Sequence, residues 1–129
     1  FLLTARLAPR MAERGWGRVI NITTMVAYVG MVGAALYGSS KAALQLLTQS
    51  WTGEYGPGGV TVNAIAPGPI RTPGTAGMGD ALDQLAKTLP AGRMGTPEEV
   101  AAAAVFLASE SAAFVNGTVI AVDGGRVAV

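Results

Sequence analysis

Tyr37 and Lys41 are the residues whose types and spacing are best suited to chemistry. They lie four positions apart, so on a helix their side chains share one face. A lysine ammonium stabilises a nearby phenolate and makes the phenol a better proton donor. Such a phenol can exchange a proton with a substrate hydroxyl or carbonyl. The pair alone also fits an ordinary surface tyrosine and lysine, because so short a motif recurs by chance.

Thr24 adds a second hydroxyl to this chemistry. It lies thirteen residues before Tyr37 and follows a strand-like segment. A hydroxyl at that place can hydrogen-bond a carbonyl oxygen or a developing alkoxide. The alternative is a threonine that only caps the turn after the strand. The chain has no histidine and no cysteine, which removes Ser-His-Asp triads, thiolate nucleophiles, disulfides and zinc sites, and we predict no metal.

The elements that must position these residues alternate between helix and strand. Helical patterns cover 1–13, 37–55, 80–89 and 96–108, and strand patterns cover 18–23, 60–66 and 118–122. The strands are apolar on both faces, which is typical of a parallel sheet covered by helices. We therefore predict an α/β fold with a doubly wound, Rossmann-like sheet. Ligands bind such sheets at the carboxyl ends of strands, where Thr24 and Pro67–Gly68 follow two of them.

Two helices carry further local predictions. In the helix 37–55, Leu44, Leu47 and Trp51 are expected to lie on one face. In the segment Thr96–Glu99, Thr96 is the expected N-cap, Pro97 takes the first helical position and Glu99 closes a capping box. Both tryptophans, at 16 and 51, are interpreted as packing residues.

Composition limits the remaining possibilities. The 129 residues are half apolar, 13% charged and carry a net charge of +1, which favours one domain over residues 1–129 and no nucleic-acid partner. Segment 19–40 is uncharged and long enough to cross a bilayer. Its threonines, serines and glycines favour a strand, a loop and a helix start instead, so no membrane partner is predicted. The absence of cysteine fits a cytoplasmic location.

Four segments together resemble the short-chain dehydrogenase/reductase family. They are 17–24 with 37–44, then 60–72, 93–101 and 116–125, in order and with natural spacing. The resemblance implies an oxidoreductase that uses NAD or NADP to interconvert a secondary alcohol and a ketone. It also implies a small-molecule substrate and a homo-oligomer, either a dimer or a tetramer.

The resemblance implies roles for individual residues. Tyr37 is the expected general acid/base, Lys41 its partner and a ligand of the nicotinamide ribose, and Thr24 matches the family's catalytic serine. The nicotinamide carboxamide is expected at Pro67, Gly68, Ile70 (through its backbone) and Thr72. Asn63 is expected to tie a strand to a loop.

Substrate contacts are predicted in two loops. The loop between Thr24 and Tyr37 contributes Met25, Tyr28 and Met31, and the glycine-rich segment 74–79, interpreted as a flexible lid, contributes Met78. Met78 and Leu82 together would make the substrate rather apolar. The alternative for each of these residues is ordinary packing, since methionine and aromatic side chains fill cores readily.

The sequence departs from the family pattern twice. Thr24 replaces the usual serine, and its extra methyl group restricts χ1. The glycine-rich turn that binds the pyrophosphate at a helix N-terminus is not found, so we interpret the chain as the C-terminal half of the fold. Two alternatives follow: an inactive fragment, or a non-catalytic scaffold. A serine/lysine hydrolase built on Ser39 or Ser40 has the wrong spacing to Lys41.

Overall fold

A three-stranded parallel sheet forms the centre of the computed structural model, which describes all residues from 1 to 129. Its strands are β1 (Gly17–Ile22), β2 (Val60–Pro67) and β3 (Val119–Val122), in the spatial order β1-β2-β3. Gly17 lies opposite Val60, and Ala64 lies opposite Val119. The predicted α/β fold with a parallel sheet is confirmed.

Four helices connect the strands at nearly the predicted positions. They are α1 (Leu2–Glu13), α2 (Ala35–Tyr55), α3 (Asp80–Lys87) and α4 (Pro97–Ala108). Helix α2 begins two residues before Tyr37, so Tyr37 lies in its first turn. Short 3₁₀ turns lie between these elements, at Met25–Ala27, Gly56–Gly58, Pro73–Met78 and Glu110–Ala112. No helix combines the length and the apolar character that membrane crossing requires.

The helices cover both faces of the sheet, and every residue of β2 from Val60 to Ala66 is buried between them. On one face Val60 and Val62 pack with Trp51 of α2, and the partly buried Leu44 and Leu47 pack around them. The shared face predicted for Leu44, Leu47 and Trp51 of α2 is thereby confirmed. On the other face the core cluster consists of Ile65, Leu107 of α4 and Ala112, with Ile20 and Ile120 beside it.

Burial differs sharply between the strands. Residues from Val60 to Ala66 of β2 are all buried, whereas β1 is buried only at Gly17 and Ile22 is 47% exposed. The difference arises because β2 has a strand on each side and β1 has a strand on one side only. Strand β1 nevertheless contributes to both faces, since Val19 packs with one core cluster and Ile20 with the other.

The capped start of α4 is confirmed in atomic detail. Glu99 Oε2 accepts the backbone N–H of Thr96 at 2.9 Å, and Pro97 occupies the first turn. The Arg93 guanidinium also donates to both Glu99 carboxylate oxygens, at 3.0 and 2.6 Å. These hydrogen bonds, those from Arg93 foremost, lower the pKa of Glu99 from 4.5 to about 2.

The two tryptophans differ in environment. Trp51 is buried, as predicted. Trp16 is 47% exposed, so it packs at the surface and not in the core. Its indole N–H donates to Glu110 at 3.1 Å, and its ring lies 5.0 Å from the Arg18 guanidinium. These polar contacts place Trp16 at the protein surface.

Candidate active site

A cavity of about 390 Å³ lies at the carboxyl ends of β1 and β2. We call it the hydroxyl cavity. Its lining includes six of the residues predicted to bind or react: Thr24, Tyr37, Pro67, Gly68, Ile70 and Thr72. Segments that are far apart in sequence converge there because the strands are parallel and end at the same edge of the sheet.

Thr24 occupies the end of β1 and caps the turn that follows. Its Oγ1 accepts the backbone N–H of Val26 at 3.3 Å, and the residue is 7% exposed. Thr24 therefore caps the turn after β1, as one of the two interpretations predicted, and uses a lone pair of its oxygen to do so. The hydroxyl hydrogen has no acceptor within the chain, so Thr24 retains a donor at the cavity wall.

Thr23, directly before Thr24 at the end of β1, has a structural role that the sequence did not predict. Its hydroxyl donates to the Ile65 carbonyl at 3.0 Å and accepts from Gln45 of α2 at 3.4 Å. It is 3% exposed and holds the end of β1 against both β2 and α2. The signal in the sequence is a second threonine at the strand end, directly before Thr24.

Tyr37 reaches the cavity from the first turn of α2. The residue is half exposed, and its phenol hydroxyl makes no hydrogen bond within the chain. Gly38 lets this turn approach the loop closely, because a Cβ atom there would lie 2.9 Å from the Val26 carbonyl oxygen. The close approach places Thr24 and Tyr37 on the walls of one cavity.

Lys41 lies one turn further along α2 and does not line the hydroxyl cavity. Its Nζ donates to the carbonyl of Ile22, the last residue of β1, at 2.9 Å. This bond fixes the ammonium group at the strand end that leads into Thr23 and Thr24. Two of the three ammonium N–H donors remain available.

The loop after β2 is held by two neighbouring segments. The Gly68 amide donates to Val122 at 2.9 Å, and a Cβ atom at Gly68 would lie 2.6 Å from Asp123 Cα. Gly95 donates to Pro69 at 2.9 Å, and Arg71 donates to Gly95 at 3.0 Å. Because these two bonds flank Ile70, the backbone N–H and C=O of Ile70 point away from Gly95. The Ile70 amide N–H has no hydrogen-bond partner within the chain.

Thr72 and Thr75 shape the segment that follows. Thr72 caps the 3₁₀ helix Pro73–Met78, and the two threonines exchange backbone and side-chain hydrogen bonds. Thr75 Oγ1 also lies 2.9 Å from the Ile70 carbonyl, to which it donates. The segment 74–79, expected to be a flexible lid, mostly forms this capped 3₁₀ helix in the structure, and its mobility stays a prediction. Thr75 was missed, although Thr-x-x-Thr is a recognisable capping pattern.

The predicted substrate contacts divide into two groups. Met25, Met31 and Met78 line a second cavity of about 310 Å³, which we call the methionine cavity. Tyr28 lies apart, in a groove between its own loop and the first turns of α2. Burial and the negative charge of Asp123 raise the pKa of the Tyr28 phenol. Met31 lines this groove as well, so Tyr28 lies beside Met31 there but does not line the methionine cavity.

Asn63 has the structural role that was expected. Its side-chain amide donates to Val115 at 2.8 Å, and its carbonyl oxygen accepts from the Thr118 amide at 3.1 Å. These bonds tie β2 to the loop that leads into β3. No group of three or more carboxylates, histidines or cysteines lies close enough together to hold a metal ion.

A helix-covered parallel sheet with a polar cavity at its carboxyl edge is the architecture of the doubly wound α/β class, which binds ligands at that edge. Residues 1–126 match the family model described as enoyl-(acyl carrier protein) reductase. The chain belongs to the short-chain dehydrogenase/reductase family of oxidoreductases, whose members bind NAD(P) on a Rossmann fold.

Individual relatives agree with this assignment. The 3-oxoacyl-(acyl-carrier-protein) reductase of Aquifex aeolicus is 43% identical over 97% of this chain and 51% of its own length. A solved short-chain dehydrogenase/reductase family protein is 46% identical with a TM-score of 0.93, over 99% of this chain and 53% of that one.

A further solved structure is an NAD(P)-dependent gluconate 5-dehydrogenase from Beutenbergia cavernae with bound NADP. It is 39% identical with a TM-score of 0.93, over 98% of this chain and 52% of that one. The chain spans about half the length of the curated relatives that it matches.

Proposed function

We propose that this chain carries the proton-transfer site of an NAD(P)-dependent oxidoreductase that interconverts a secondary alcohol and a ketone. The observation that supports the proposal is the hydroxyl cavity. It unites the Tyr37 phenol, the Thr24 hydroxyl and the loop from Pro67 to Thr72 at the carboxyl edge of the sheet. Hydroxyl donors on two walls suit a substrate oxygen that changes between carbonyl and alcohol.

Each residue has a separate task in this proposal. Thr24 donates its free hydroxyl hydrogen to the substrate oxygen and orients it. Tyr37 gives a proton to that oxygen during reduction and takes it back during oxidation. Lys41, one turn further along α2 and held by the Ile22 carbonyl, is proposed to stabilise the negative charge that develops on the phenol oxygen during proton transfer. Lys41 therefore assists proton transfer through Tyr37 and does not exchange the proton itself. Its two free N–H donors are suited to the hydroxyls of the nicotinamide ribose.

The residues present fit a nicotinamide. The free Ile70 amide N–H faces away from the Gly95 bridge, and it is a suitable donor to a carboxamide oxygen. Pro67, Gly68 and Thr72 would complete that contact surface. When bound, NAD or NADP supplies or accepts the hydride, which is chemistry that no side chain here can perform. A solved relative with bound NADP supports this choice of cofactor.

The test is the Tyr37→Phe variant of the enzyme that contains this chain. We expect its kcat to fall by roughly 100- to 10,000-fold, because the proton donor is removed and the ring is kept. Tyr55→Phe, at the other end of the same helix, is the control and keeps full activity. Steady-state oxidation of the reduced cofactor measures both. Full turnover by Tyr37→Phe would refute the proposed acid/base.

Residues 1–129 are proposed to form one domain that holds the proton-transfer part of the site and only part of the cofactor site. The glycine-rich segment 74–79 follows the loop after β2 and does not join a strand directly to a helix N-terminus, which is where this fold binds a pyrophosphate. We therefore expect the isolated 129-residue chain to bind reduced nicotinamide cofactor weakly and to show no turnover. Cofactor fluorescence measures this binding, and tight binding by the chain alone contradicts the expectation.

We also propose that the enzyme containing this chain is a homo-oligomer, and light scattering tests this oligomeric state.

A further inference from the structure

The methionine cavity adjoins the hydroxyl cavity directly. The two cavities share Gly68, Ile70 and Thr75 in their walls. A substrate whose oxygen lies between Thr24 and Tyr37 therefore has one substituent directed toward the methionines. The chemistry of this second cavity then decides which substituents are accepted.

The lining of the methionine cavity is apolar and carries no charge. Besides Met25, Met31 and Met78 it contains Ala81, Leu82 and Leu85. Its one side-chain hydroxyl belongs to Thr75. That hydroxyl is already engaged, since it lies 2.9 Å from both the Ile70 carbonyl and the Thr72 amide. No side chain remains there to pair with a carboxylate or with a row of hydroxyls, and burying such groups without partners is costly.

Arg71, which follows Ile70 of the cavity wall in sequence, points its side chain away from the methionine cavity. Arg71 directs its guanidinium to Asp83 of α3, with an N–O distance of 2.9 Å. Both residues line a separate depression together with Asp80. Two carboxylates therefore accompany the one guanidinium, and none of these charges lines the methionine cavity.

The methionines come from separate segments and differ in exposure. Met25 is 5% exposed and forms the floor, whereas Met31 and Met78 are 43% and 56% exposed. Methionine is unbranched and flexible, so a wall of this kind adapts to several apolar shapes. The volume of about 310 Å³ lies at the lower end of the usual range for ligand sites.

We infer that the substrate is a ketone or secondary alcohol with an uncharged, apolar substituent, such as an alkyl chain or an alicyclic ring, that occupies the methionine cavity. Sugar acids of the gluconate type are excluded from this cavity. The inference rests on the proposed function, because the proposed reacting oxygen lies in the hydroxyl cavity. Beyond the proposed function, it specifies the chemical class of substrate that the enzyme accepts.

Binding is tested on the 129-residue chain with isotope-labelled methionine methyl groups and nuclear magnetic resonance. The chain has five methionines, and Met11 serves as the internal control because it packs in a separate cluster with Trp51 and Val60. We expect 2-heptanol to shift the Met25, Met31 and Met78 resonances saturably and gluconate to leave them unchanged. Equal shifts with gluconate, no shifts, or a shift confined to Met11 would overturn the inference.

Kinetics of the enzyme that contains this chain supply the second test. Along a series of methyl ketones, kcat/KM is expected to rise about fourfold for each added methylene until the cavity is full. The Met78→Gln variant is expected to flatten this slope, and Met78→Leu to keep it. Val32→Gln, in the same loop as Met31 but fully exposed, is the matched control and keeps the slope.

The two levels of the proposal fail in different ways. Turnover of ketones with no dependence on chain length, or with a preference for keto acids of the gluconate type, overturns the apolar substrate class and leaves the proton-transfer role of Tyr37 standing. Absence of turnover with every alcohol and ketone overturns the proposed function and, with it, the substrate class. Methionine shifts with 2-heptanol but no turnover would then identify an apolar binding site without the reaction.

Discussion

At the scale of single residues, the candidate site depends on which hydrogen-bonding groups are already engaged. The Thr24 hydroxyl oxygen accepts the Val26 amide N–H, while the Thr24 hydroxyl hydrogen has no acceptor. Lys41 donates one of its N–H groups to the Ile22 carbonyl. The Thr75 hydroxyl, in contrast, is fully engaged by its own loop. This division separates groups that can act on a substrate from groups that only build the cavity.

The extra methyl group of Thr24 leads to the first residue-scale prediction. Because the β-branched side chain restricts χ1, Thr24→Ser in the complete enzyme is expected to raise turnover or widen the range of ketones accepted. Thr24→Ala removes the donor and is expected to lower kcat by roughly 100-fold or more. Steady-state kinetics on a panel of ketones measures both variants. Unchanged turnover of Thr24→Ser on every ketone would contradict the argument.

At the scale of elements, the site is placed by the points at which strands and helices begin and end. The end of β1 presents Thr24, the first turn of α2 presents Tyr37, and the end of β2 leads into the Gly68 loop. Gly68 and Gly38 allow close backbone contacts that a Cβ atom would prevent. The capped start of α4 supports the same loop, since Gly95 bridges to Ile70 just before Thr96.

The capping carboxylate of α4 gives a prediction on pH. The pKa of Glu99 is lowered from 4.5 to about 2 by hydrogen bonds from Arg93 and then Thr96. A carboxylate with a lowered pKa in the folded state stabilises that state above pH 4.5, and this stabilisation is lost as the pH falls toward 2. We therefore expect the stability advantage of the wild-type chain over Glu99→Gln to shrink within that interval.

Urea unfolding from neutral pH down to about 2 measures this advantage. Glu13→Gln is the matched control because Glu13 is exposed and forms no ion pair. Its stability relative to wild type should stay nearly constant over the same interval. A wild-type advantage over Glu99→Gln that does not change between pH 4.5 and about 2 would show that the hydrogen bonds to Glu99 contribute no net stability.

At the scale of the whole molecule, β2 is the centre on which the structure depends. It pairs with β1 and β3 and packs against α2 on one face and α4 on the other. Strand β1 has an unpaired edge and a partly exposed face, which ends at the half-exposed Ile22. Stability is therefore expected to be uneven across the sheet.

Hydrogen exchange on the isolated 129-residue chain tests this unevenness. The hydrogen-bonded amides of β2 are expected to exchange slowest, because opening them disrupts two strand pairs and both core faces. Those of β1 are expected to exchange about tenfold faster or more. Loop amides that are not hydrogen-bonded supply the fast reference. Equal protection of β1 and β2 would mean that the sheet opens only as one unit.

The sequence by itself determined the elements and the expected reacting residues. Apolar periodicity and caps are local properties, so the four helices, the three strands and the capping role of Glu99 were predictable within a few residues. Family-like segments pointed to Tyr37, Lys41 and Thr24, and Asn63 was assigned its bridging role.

Only the tertiary structure decided how these residues are grouped. It placed Tyr28 outside the methionine cavity, kept Lys41 outside the hydroxyl cavity, and formed a capped 3₁₀ helix from Pro73 to Met78. It also separated the hydroxyl cavity from the apolar methionine cavity. Such groupings depend on contacts between segments that are distant in sequence and on which hydrogen-bonding groups those contacts occupy, and a local residue pattern contains neither.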